Sequence, residues 1–192
     1  SWSLDHVGPM ARTVRDCALL LGAIAGHDPA DPASANVPIP PYADLLEASP
    51  GPVTIGVVGP EDDDLVAPDV HAAVAAAAET LRQLGFATRP VALPHARQTP
   101  RAVLGIMYAE ASEYHLPWLR EAADQYSPNT RERLELGTLL PGTVYVRAQR
   151  ARRVIIDAYR ALFREVDLLL TPVTTSTATP IDGPPEATVR QS

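Results

Sequence analysis

An α/β fold is predicted from three observations. Residues 53–58 and 86–93 read as strands flanking an alanine-rich helix over 69–84, joined by short links. Strand, helix, strand in that order implies a right-handed crossover and a parallel pair. The composition is 46% hydrophobic with only 5% aromatic residues, rich in Ala, Val and Leu, which suits a helix-covered sheet. The second half is mostly helical and ends on Leu168-Leu169-Leu170, a short apolar run that reads as a further buried strand.

Each element has its own signals. Thr13-Val14-Arg15-Asp16 has the form of a capping box, with Thr13 as acceptor and Asp16 reaching back. Val14, Cys17, Ala18, Leu21 and Ile24 or Ala25 then recur at helical spacing, and Gly26 with Pro29 marks the stop. Residues 27–52 hold seven prolines and form an extended connector with one helical turn over 42–46. Strand 53–58 ends at Gly59-Pro60, Pro68 fits a first helical turn, and Gly85 ends helix 69–84. Thr99-Pro100 opens a helix to residue 115 or 116, which Pro117 should end or kink, with more helix over 118–124. Ser127-Pro128 begins another to about residue 139. Thr143 is expected to cap the last, 144–166, with Val146, Ile155, Tyr159, Leu162 and Phe163 facing a core. Residues 174–176 and 180–185 fall into loop.

Composition excludes several functions. The net charge of −7 opposes a nucleic-acid groove, which needs clustered positive charge. No basic leader or long apolar run suggests a signal peptide, a spanning helix or a membrane partner. His6, His27, His71, His95 and His115 show no short metal-ligand spacing, and no Gly-x-Ser-x-Gly elbow occurs. The Glu61-Asp62-Asp63-Asp64 run reads as a solvated acidic loop, and Gly56, Gly59 and Gly85 are wrongly spaced for a phosphate fingerprint. No cofactor or metal is therefore expected. Cys17, the single cysteine, reads as a small buried hydrophobe. One cysteine permits no internal disulfide, which fits a reducing cytoplasm, the expected location.

The opening Ser3-Leu4-Asp5-His6-Val7-Gly8-Pro9-Met10 loop, the capped helix and Ala25-Gly26-His27-Asp28-Pro29 resemble the amidase signature family. So do Glu110-Ala111-Ser112-Glu113-Tyr114-His115, Tyr126-Ser127-Pro128, Arg131 to Gly137, Ala148 to Arg152, and Asp167 to Pro172, all in register. The resemblance implies part of one layered α/β/α domain, a mixed sheet with helices packed on it, occupying residues 1–192 as a single partial domain truncated at both ends. It also implies amide hydrolysis by a serine nucleophile, a second serine in a cis peptide, and a lysine. This chain has no lysine, all 16 basic residues being arginine, and no Gly-Gly-Ser-Ser-Gly stretch. No catalytic residue is therefore assigned within it, and the isolated chain is expected to be inactive.

By the same resemblance the Ser3 to His6 loop follows the catalytic core, so Asp5 and His6 are substrate-pocket candidates. Met107 and Tyr108, on the helix before the Glu-Ala-Ser match, are candidates for its acyl wall. Adjacent helical residues point about 100° apart, so at most one of the two faces substrate directly. The implied partner is a small-molecule amide substrate, and a homodimer of the intact enzyme stays open. One alternative is the A-type subunit of a glutamine-dependent aminoacyl-tRNA amidotransferase. Members of that kind carry a Tyr-Asp-Gly loop where this chain reads His115-Leu116-Pro117-Trp118. Another, of a different class, is a non-catalytic binding or interaction domain.

Overall fold

In the computed structural model, which describes residues 1–59, 66–178 and 181, a β-branched run folds as β1, Thr54–Val58. It lies between β2, Ala87–Val91, and β3, Leu168–Leu170, in the order β2-β1-β3. Both pairings are parallel, so the three described strands form a parallel sheet. Ile55 and Val58 of β1 are buried. β2 tolerates Pro90 because it is the edge of the described sheet, where a missing donor costs least. Asp167 fixes the β3 register through its backbone and its side chain together. Its N–H donates to the Thr54 carbonyl at 2.9 Å, and its carboxylate accepts from the Thr54 N–H at 2.8 Å.

Helix α3, Pro68–Gln83, opens on the expected proline and packs against β2. The Ala67 N–H, an orphan donor just before it, is taken by the Thr175 carbonyl at 2.7 Å. Gly85, at φ +90°, turns the chain into β2. These elements belong to one compact unit, 51–99 with 153–192. The acidic run 61–64 and most of 180–185 lie outside the described residues.

The other unit comprises 1–50 and 100–152. It contains α1, Val14–Ile24; α2, Tyr42–Leu45; α4, Thr99–Glu121; a 3-10 turn, Ala123–Gln125; α5, Pro128–Thr138; and most of α6, Gly142–Leu162. Its core gathers Ala102, Ile106, Leu134 and Ala148. Two glycines set the spacing of its helices. A Cβ on Gly105 would stand 3.1 Å from that of Ala148, and one on Gly137 would overlap the Ser112 hydroxyl and the Tyr108 carbonyl oxygen. The Ser112 hydroxyl itself donates to the Leu134 carbonyl at 2.7 Å, joining α4 to α5.

Several sequence expectations are corrected. Pro117 does not end its helix, because α4 runs to Glu121. A proline removes one intrahelical bond, but here Tyr114 and His115 stack on Trp118 across it, with ring centroids 5.4 and 5.8 Å apart. The Thr99 hydroxyl donates to the His95 carbonyl at 2.9 Å instead of capping α4. α6 starts at Gly142, with the Val144 N–H bonded to the Pro141 carbonyl at 2.8 Å, so Thr143 is not its cap. The Thr13 cap forms, accepting from the Asp16 N–H at 3.1 Å, but no return bond from the Asp16 side chain completes the box. Ala25 ends α1 in extended backbone at ψ 140°, and Gly26, at φ +159°, is nearly extended instead of left-handed helical.

The expected core stripes are also only partly covered. On α1, Ala18 is buried, Cys17 and Leu21 are half-buried, and Val14 and Ile24 are exposed. On α6, Val146 is exposed, and so is Phe163 just beyond its end, while Ala148 is buried.

Candidate functional site

A buried concentration of polar contacts in the first unit is built around Glu110 of α4, which is only 5% exposed. A carboxylate taken from water must be met by donors. Helix α4 supplies none of them; they come from residues far away in sequence. The Ser3 N–H donates to one carboxylate oxygen at 3.1 Å, and the Ser1 hydroxyl donates to the same oxygen. The other oxygen accepts from the Ser3 hydroxyl at 2.6 Å and from the Tyr145 hydroxyl at 3.0 Å. Four donors match the acceptor capacity of one carboxylate.

The partners on α6 share a face by helical spacing. Tyr145, Gln149 and Arg152 stand at i, i+4 and i+7. Gln149 donates to the Tyr145 hydroxyl at 2.9 Å, which orients it toward Glu110. Arg152 donates to the Ser3 hydroxyl at 3.1 Å and to the Ser3 carbonyl at 2.9 Å. Ser3 is therefore held through its N–H, its hydroxyl and its carbonyl at once. A negative group on α4 and a positive one on α6 meet through it.

Burial pulls the Glu110 carboxyl upward, but the hydroxyls of Ser1 and Ser3, the Ser3 amide and the Tyr145 hydroxyl outweigh it and hold the group below its ordinary value of 4.5. Because the folded value is depressed, the stability that this group contributes is complete above about 4.5 and lost as pH falls below it. The expected result is that the gap in melting temperature between the unaltered chain and Glu110→Gln narrows as the buffer is taken from pH 7 toward pH 3. A gap independent of pH would show that Glu110 is not ionised in the fold.

Beside the network lies an open cavity of about 330 Å³, lined by Trp2, Ala109, Glu110, Glu113 and Tyr145. Its volume is in the range of small-molecule sites. The residues singled out from sequence are not among those that line it. Asp5 is exposed and accepts from the Ser1 nitrogen at 2.8 Å. His6 is exposed, with Nδ1 2.7 Å from the Leu4 carbonyl. Met107 and Tyr108 are half-buried, and the Tyr108 backbone faces Gly137. None of the four lines this cavity. The cavity is instead walled by the 109, 110 and 113 positions of the same helix, of which the sequence marks 110 and 113 only as part of a motif match. Among the described residues, no three His, Cys, Asp or Glu side chains converge as metal ligands. No helix among them is long and apolar enough to cross a membrane.

The family model described as Amidase matches residues 1–191. The chain belongs to the amidase signature family. It is 42% identical over 172 residues to an amidase of Pseudomonas putida, covering 90% of this chain and 37% of that protein. It is 34% identical over 195 residues to the A-type subunit of the glutamyl-tRNA(Gln) amidotransferase of Geobacter sulfurreducens, covering 89% of this chain and 40% of that one. Among solved structures, it superposes with a TM-score of 0.85 and 36% identity on a chain of a vestigial protein complex bearing on the origins of an s-triazine catabolic enzyme. That likeness covers 94% of this chain and 39% of the other. The chain thus spans well under half the length of these amidase-signature relatives. The α/β class expected from sequence agrees with them.

Proposed function

We propose that this chain is the helical wall and sheet segment of a single amidase domain whose family-length polypeptide hydrolyses the carboxamide C–N bond of a small-molecule substrate in the cytoplasm. The observation that carries this reading is the 42% identity to the P. putida amidase across nine-tenths of the chain. The chemistry follows the family: a lysine deprotonates the cis-serine, which activates the nucleophilic serine, and backbone amides hold the oxyanion. None of the arginines in this chain can take the base role, since a guanidinium stays protonated near neutrality. Asp5 and His6 lie near the pocket, with Asp5 ordering the backbone beside the reacting groups, and Met107 or Tyr108 contributes to the acyl wall. Tyr108→Ala should then alter preference between large and small amides more than the rate on the smallest.

The amidotransferase reading draws support from the 34% identity to the G. sulfurreducens protein. Against it, α4 continues as helix through residues 115–118, where His115 bonds the Tyr126 hydroxyl at 2.9 Å. This helical aromatic cluster stands where the resemblance implies a Tyr-Asp-Gly loop.

The test is amine or ammonia release from a panel of simple amides, by the 192-residue chain and by a hybrid in which it replaces its matched segment of the P. putida amidase. Turnover by the hybrid and none by the chain alone is expected. A folded hybrid active only on glutamine and dependent on a partner protein would favour the amidotransferase. A folded hybrid without activity on any amide would favour a non-catalytic module.

A further inference from the structure

We propose that Glu110 is a positioning residue of the reaction, acting through Ser3: with Arg152 it clamps the peptide that leads into the Ser3 to His6 loop. The inference rests on the amide-hydrolase reading for its catalytic consequence, and on geometry alone for the clamp. Glu110 is buried, its four acceptor positions are filled, and two of its donors are the backbone N–H and hydroxyl of one residue, 107 positions away. Arg152 takes the remaining polar group of that residue, its carbonyl, and shares the hydroxyl.

Burying a carboxylate and engaging a guanidinium is a poor way to gain stability, because apolar side chains of similar volume often serve as well. What this arrangement supplies is direction. An apolar contact lets a peptide slide or rotate by fractions of an ångström, whereas three groups of Ser3 bonded to two different helices fix its position and its orientation. The peptide held in this way also carries Trp2, which lines the cavity together with Glu110 and Tyr145. Clamp and cavity therefore share residues, and a loosened clamp shifts a wall of the cavity. Misplacement of a reacting or supporting group by about 1 Å can cost about a hundredfold in rate.

Two measurements separate the clamp from its catalytic role. In the full 192-residue chain, Glu110→Gln should lower hydrogen-exchange protection of the Ser3 amide by about tenfold while the amides of the Ile106 and Ala148 turns keep theirs. Unchanged protection at Ser3 would overturn the clamp, whatever the activity. In the hybrid amidase, Glu110→Gln should lower kcat by about tenfold to a hundredfold with KM nearly unchanged. Arg152→Gln, which leaves the carboxylate and all four of its donors in place, should repeat the kcat loss even if the Glu110 variant does not fold, and Arg152→Lys should restore part of it. A rise in KM at constant kcat, or no change in either, would overturn the positioning role. If the unaltered hybrid is inactive, the hydrolase reading and with it the catalytic role fall, while exchange at Ser3 still decides the clamp.

Discussion

Replacing Gly137 by alanine should destabilise the chain by about 2 kcal/mol or more, against the direction that helix propensity sets. Gly137 lies within α5, where alanine is ordinarily favoured over glycine by about 1 kcal/mol. Here the added Cβ would overlap the Ser112 hydroxyl and the Tyr108 carbonyl oxygen, and would stand 2.9 Å from the Tyr108 carbonyl carbon. Overpacking of this kind costs about 1–3 kcal/mol, occasionally more, and backbone atoms of α4 cannot rotate away as a side chain could. Steric cost outweighs propensity. At this chain length the loss corresponds to a fall of about 4–8 °C in melting temperature. Removing the hydroxyl with Ser112→Ala should rescue only part of it, since the Tyr108 carbonyl remains in the way. Gly105→Ala, whose Cβ would stand 3.1 Å from that of Ala148, should cost less, because a methyl group can yield by a few tenths of an ångström. A Gly137→Ala chain that melts higher than its parent would show that α4 and α5 do not pack as described.

Glu110→Ala should be the most damaging single polar substitution, at about 3 kcal/mol. It removes the acceptor from the Ser3 N–H, from the hydroxyls of Ser1 and Ser3, and from Tyr145. A buried donor left without a partner costs about 1–3 kcal/mol, and water entering the adjacent cavity can satisfy some of the four but not all. Glu110→Gln keeps one acceptor oxygen and should lose about half as much. Urea melts of the two variants measure the difference, and equal midpoints for the unaltered chain and Glu110→Ala would remove the network from the account.

Local signals made much of the fold legible. Prolines at the starts of α3 and α5, the Thr13 and Ser127 caps, and Gly85 at a left-handed φ all act within a few residues, so the sequence carries them directly. The parallel β1-β2 pair follows from the length of the crossover. Part of what failed depended on distant partners. The Val14 and Ile24 ends of the α1 stripe are exposed, and relatives more than twice this length have further polypeptide for such faces to meet. Pro117 is an exception, since the ring contacts of Tyr114 and His115 with Trp118 that span it lie within one helix, at i+4 and i+3.

The Glu110 network was invisible because its partners are distant. Tyr145, Gln149 and Arg152 look like an ordinary solvated stripe on α6, and Glu110 like a surface carboxylate. Only the juxtaposition of α4, α6 and the opening loop turns them into partners. The available signal was that Glu110, Gln149 and Arg152 all fall in stretches that match the family.

We propose that this chain shapes an amidase site whose nucleophile it does not itself contain. Trapping the active hybrid with a serine-directed phosphonate until amide turnover stops, then mapping the adduct by mass spectrometry, tests this most directly. The adduct is expected on a serine contributed by the amidase portion and absent from residues 1–192. A stoichiometric adduct on a serine of this chain, Ser3 included, would contradict the account.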